Sequence, residues 1–133
     1  MIEKFEKIQL LYDKGERDIK ASEQLIKSDD GEFYSSIICF HCQQSVEKYL
    51  KAYLMYQEIV PPKTHDVLRL AAICSEFDKA FVNFELDGFA SYGVDIRYDA
   101  PHPSLTDAKQ AMSTAKEVMN YVMQKIPMED NPT

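Results

Sequence analysis

The sequence predicts an all-α protein, an antiparallel bundle of four long helices plus a short helix. Three observations predict it: apolar residues recur three and four positions apart in four segments, turn-forming residues separate those segments, and no segment shows the strict alternation of a strand. With 133 residues, 45% of them apolar and including seven Phe and eight Tyr, the chain has enough apolar surface for one core. The expected organisation is a helical domain over residues 1–127 followed by a flexible C-terminal tail, 128–133.

From Ile2 to Lys27, Ile8, Leu11, Ile19, Ser22 and Leu25 or Ile26 fit one face of a helix, and Asp29, Asp30 and Gly31 end it. The next segment, Glu32 to Gln57, places Tyr34, Ile38, Cys42, Val46, Tyr49 and Tyr53 on one stripe, widened by Ile37, Leu50 and Leu54. A helix so apolar around its girth belongs at the centre of a bundle. Its narrow polar remainder, Gln43, Gln44, Glu47, Lys48 and Lys51, reads as a solvated face. Pro61 and Pro62 impose an extended connection, after which Thr64 or Asp66 can cap a third helix through Val67, Leu70, Ala71, Cys74 and Phe77. Residues 78 to 92 pattern weakly around Phe81, Phe84 or Leu86, and Phe89, as one short helix. Ser104 and Asp107 form a capping box ahead of the last helix, whose stripe runs from Leu105 through Ala108, Ala111 or Met112, Ala115, Val118 or Met119 and Val122 to Ile126, where Pro127 stops it.

The net charge of −7 is ill suited to holding a polyanion over a broad surface, so any nucleic-acid contact is expected to be local. No apolar run approaches a membrane span, and the charges interleaved through the amino terminus do not suit a signal peptide, which predicts a cytoplasmic protein without membrane association. Three cysteines in such a chain predict reduced thiols rather than a disulfide framework.

Four features bear on chemistry. RYDAPHPS, residues 97–104, sets Arg97 and His102 in a proline-bracketed loop; a guanidinium grips phosphate by a fork of donors and imidazole exchanges protons near neutral pH, so the pair can cleave a phosphodiester without metal. The bland alternative is that His102 caps the last helix or lines a nucleotide pocket. CFHC, residues 39–42, holds a CxxC, but it lies inside a helix with no second ligand pair, so core cysteines and no metal site are expected. His65 opens the third helix, where it can satisfy the first amides, pack on the prolines, or touch an anionic ligand. The tyrosines, at helical spacings, read mainly as core and subunit contacts.

CFHCQQSVEKYLKAYL, VPPKTHDVLRL and the RY that opens RYDAPHPS together resemble the HEPN family, in its stand-alone prokaryotic type: the first its signature second helix, the second its loop and histidine-led third helix. The resemblance covers roughly residues 5 to 126. It implies a helical bundle, a homodimer, and a minimal nucleotidyltransferase as partner, the two behaving as toxin and antitoxin. It further implies a metal-independent ribonuclease without cofactor, whose motif of an arginine, four to six residues and a histidine falls on Arg97 and His102. Tyr98, Asp99, His65 and Lys48 are the residues expected to bind substrate, an RNA or a nucleotide, with Asp99 placed to orient a catalytic side chain. Two departures keep an alternative open. Pro101 and Pro103 flank His102, which bars it from a regular helix interior, and position 104 is serine where active toxins of the family carry tyrosine. HEPN domains with such proline-containing loops resemble non-catalytic nucleotide-binding or partner-docking modules.

Overall fold

The structure, a computed structural model, describes residues 2–91 and 102–128. Within them the chain forms four α-helices, α1 (Ile2–Lys27), α2 (Ser35–Tyr56), α3 (Val67–Cys74) and α4 (Leu105–Lys125), with two 3-10 turns at Lys79–Asn83 and Asp87–Ser91. Among the described residues there is no strand, and no helix is long and apolar enough to cross a membrane.

The α2 helix is the central element because it alone is apolar around most of its girth. Ile38, Cys42, Val46, Tyr49, Leu50 and Leu54 are all buried, and the helix packs against α1, α3 and α4. The register with α1 is fixed by Lys4 to Glu58, Tyr12 to Tyr49, Asp18 to His41 and Ser22 to Ile38, pairs in which one number rises as the other falls, so the two helices are antiparallel. Gly15 allows their close approach: a Cβ there would stand 2.6 Å from Cε2 of the buried Tyr49 ring. The α4 helix instead runs parallel to α2. Its start meets the start of α2 through Ser35 and Pro103, while near the other end Tyr53 and Tyr121 both pack on Phe81. The long connection between the two helices returns the chain to the start of α2 before α4 begins.

The third helix is shorter than its apolar pattern suggests. It occupies eight residues, and Phe77, expected on its core face, is 43% exposed after the turn. Asp66 rather than Thr64 caps it, accepting from the amides of Leu68 and Arg69. The weak pattern that follows becomes two 3-10 turns burying Phe81, Leu86 and Phe89 instead of one helix. In α4 the small side chains Ala111, Ala115 and Val118 are buried while Met112 and Met119 lie at the edge, which lets α4 sit close to α2. The Ser104–Asp107 capping box forms as the sequence predicts.

Candidate functional site

The polar stripe of α2 is not a solvated face. Gln43 and Glu47, one turn apart, are buried at 4% and 1% exposure because the segment leading into α3 lies over them. The Gln43 amide Nε2–H donates to the carbonyl of His65 at 3.2 Å, and the Glu47 carboxylate receives three groups: His65 Nδ1 at 3.0 Å on Oε1, Lys51 Nζ at 2.8 Å on Oε2, and Lys48 Nζ at 3.7 Å from Oε2. Burial by itself would push the Glu47 carboxyl up, but the hydrogen bonds from Lys51 and His65 and the charges of both lysines outweigh it and hold the group below the ordinary glutamate range. Glu47 is therefore a carboxylate at neutral pH. A carboxylate only accepts, so Nδ1 of His65 carries a proton and Nε2 is the free ring nitrogen, on a side chain that is 60% exposed. With Asp66 engaged on the amides of α3, His65 is released from capping and serves as the outward member of a histidine–carboxylate pair.

The second locus lies at the start of α4. Arg97, Tyr98 and Asp99 fall outside the described residues; His102 falls within them and is exposed. It does not cap α4, since Ser104 does so. The backbone that carries it is nonetheless held: Pro103 accepts a 2.6 Å hydrogen bond from the buried Ser35 hydroxyl at the beginning of α2. No side chain caps α2 there and no acidic residue lies in its first turn, so the positive end of that helix is not neutralised within the turn, although Asp29, Asp30 and Glu32 are exposed just before it. Eight positions of helix, or about 12 Å, separate Ser35 from Gln43. The structure thus brings Lys48 and His65 together and sets His102 apart from them.

The HEPN domain model matches residues 8–126, spanning both loci and nearly the whole bundle. The chain belongs to the HEPN domain family. No curated protein and no solved structure matched it. HEPN domains have ribonuclease or nucleotide-binding roles, and that is the range of chemistry within which the two loci of this HEPN domain are to be read.

Two features of this HEPN domain escape sequence reasoning. One is the role of Glu47 as the hub of the α2 cluster: its spacing to Lys51 was visible, but its pairing with a histidine 18 positions on was not. The other is a second histidine–carboxylate contact, His41 Nδ1 to Asp18 Oδ1 at 2.9 Å, which ties α2 to α1 and for which no sequence signal existed. The CxxC behaves as core. Cys39 and Cys42 are fully buried, and burial pushes the Cys42 thiol up to about 12, the opposite of a reactive thiolate. Among the described residues no group of three or more His, Cys, Asp or Glu is placed to hold a metal ion. A cavity of about 330 Å³ between α3 and the 3-10 turns is lined by Leu68, Val82, Phe84, Glu85 and Asp87 among others, with no cation, which does not suit a phosphate.

Proposed function

We propose that this HEPN protein is a metal-independent ribonuclease of toxin–antitoxin type, acting on RNA through Arg97 and His102 and paired with a minimal nucleotidyltransferase. The observation that carries the reading is His102: an exposed imidazole, five positions after Arg97, on a backbone anchored by the Ser35 hydroxyl and by the capping box that follows. In this reading neutral His102 takes the proton of a ribose 2′-hydroxyl. The 2′-oxygen attacks the adjacent phosphorus, Arg97 neutralises the charge that gathers on the phosphorane oxygens, and the 5′-oxygen leaves with a proton, giving a 2′,3′-cyclic phosphate and a 5′-hydroxyl. Asp99 orients a catalytic side chain and Tyr98 contacts substrate. One histidine cannot serve as base and acid in the same step, so a two-fold homodimer supplies the acid from its second copy. Such a composite site is small, which is compatible with a chain of net charge −7.

The test is cleavage of mixed single-stranded RNA in EDTA by the wild type and by His102→Ala, both shown to be folded. Cleavage that disappears in the variant supports the reading; an inactive wild type, alone and freed from its partner, removes it. A second reading has an observation of its own. Pro101 and Pro103 keep His102 out of a helix interior, and the cations Lys48 and Lys51, together with His65, are gathered elsewhere, around Glu47 of α2. That arrangement favours a non-catalytic module that binds a nucleotide or docks onto the nucleotidyltransferase, and such a module predicts ligand binding without turnover.

A further inference from the structure

We propose that Lys48, Lys51 and His65 form a phosphate-binding subsite, built on the Glu47 carboxylate, for the phosphate of a ribonucleotide or of an RNA strand. The subsite lies apart from His102 and does not depend on whether Arg97 and His102 cleave RNA.

The first support is a surplus of positive donors. A carboxylate that merely pins the segment before α3 to its helix needs one donor on each oxygen, and His65 on Oε1 with Lys51 on Oε2 provide them. Lys48 is then extra. Its ammonium, 3.7 Å from Oε2, is beyond hydrogen-bond length, so the carboxylate does not satisfy its protons, while the side chain as a whole is only 19% exposed, its stem packed on the fold. Lys51 spends one of its three protons on Glu47 and is similarly covered, at 18% exposure. Two lysines against one glutamate leave a charge of +1 among these three side chains, in a chain of net charge −7.

The second support is geometric. Glu47 is 2% exposed at its side chain, so it sits beneath its three partners and orients them without occupying the outer side from which an anion approaches. The free Nε2 of His65 becomes a donor on protonation. Gln43, nine-tenths buried and held by its bond to the His65 carbonyl, keeps a buried Oε1 with no hydrogen-bond partner beside the same segment. The charged group that His65 contacts is Glu47 of α2, whose other oxygen lies against Lys48 and Lys51; the neighbouring Asp66 carboxylate is turned to the α3 amides.

The test titrates sulfate, AMP and the dinucleotide ApA into the full chain at constant ionic strength, following the His65 imidazole by NMR. The expected result is a saturable His65 response to sulfate and AMP. It weakens about tenfold in Lys48→Met, the loss of one charge-assisted hydrogen bond, and is unchanged in Lys109→Met on the exposed side of α4. His65→Asn keeps a donor for Glu47 but removes Nε2, and should weaken sulfate binding, read through the backbone amides of α2. Binding of ApA as well as AMP assigns the subsite to an RNA backbone phosphate; binding of AMP alone assigns it to a terminal phosphate. A response that chloride reproduces, or affinities equal in wild type and Lys48→Met, overturns the proposal. Because the readout is binding, an inactive ribonuclease leaves the result intact.

Discussion

His65 and His102 are both exposed imidazoles next to a helix start, and the protein constrains them in opposite ways. His65 is oriented through its side chain: a buried, ionised Glu47 fixes the Nδ1 proton and leaves Nε2 as the working nitrogen. His102 is oriented through its backbone, by prolines on either side in the sequence and by the Ser35 hydroxyl on the Pro103 carbonyl. The difference teaches where each site's cost lies. In the proposed ribonuclease, removing His102 should take away chemistry and almost no stability, whereas disturbing the His65 locus should expose a buried charge and fall on the fold.

The largest effect should be His102→Ala. It is expected to lower RNA cleavage by about two to four orders of magnitude, the usual contribution of a positioned acid–base group, while urea denaturation shows a change within about 0.5 kcal/mol. A variant that lost both activity and stability would collapse the contrast with His65. Next comes Glu47→Ala, which leaves Lys48, Lys51 and His65 without their anion and should cost about 3 kcal/mol by urea denaturation. A cost near zero would show that the cluster is not held by its carboxylate. Ser35→Ala should cost about 1 kcal/mol, for one buried hydroxyl donor, and reduce cleavage only partially by loosening Pro103. Equal cleavage by Ser35→Ala and wild type would mean that the tether does not position His102.

The smallest effect sharpens the electrostatic side of the contrast. The Glu47 carboxyl titrates below its ordinary value of 4.5, so the folded state prefers the ionised form; that stability is present above the unfolded value and is lost as pH falls through the lowered folded one. Acid titration of stability should therefore be less steep below about pH 4.5 in Glu47→Gln than in wild type. Equal slopes would locate the acid sensitivity elsewhere, at Glu23 or Asp78, whose carboxyls are also lowered, by a hydrogen bond from Lys116 and from Tyr121 respectively.

Much of the bundle was legible in the sequence. The first helix was read to its ends, and Ser104 with Asp107 gave both the start and the capping chemistry of the last, because these features are local and the deciding residues lie within one turn of each other. The third helix was read too long because Phe77 continues an apolar spacing that the chain abandons after Cys74. Ile37 was placed on the core stripe of α2 and is 44% exposed, since a stripe that wide does not say which of its borders is covered. At the candidate site, Lys48 and His65 were named, but Glu47 was assigned to a solvated face, and Arg97, Tyr98 and Asp99 lie outside the described residues.

By itself the sequence determined the all-helical class, the ends of the first helix, the capped start of the last, most of the core and, through its family motifs, the HEPN resemblance that the match over residues 8–126 bears out. Each of these is written in spacings of three and four residues or in short motifs. Only the tertiary structure decided that α4 runs parallel to α2, that Ser35 holds Pro103, and that Glu47 lies beneath His65. A periodic pattern records which side of a helix is polar, not whether water or another segment of the chain meets that side, and for Glu47 that covering turned an expected surface charge into the buried hub of a histidine–lysine cluster.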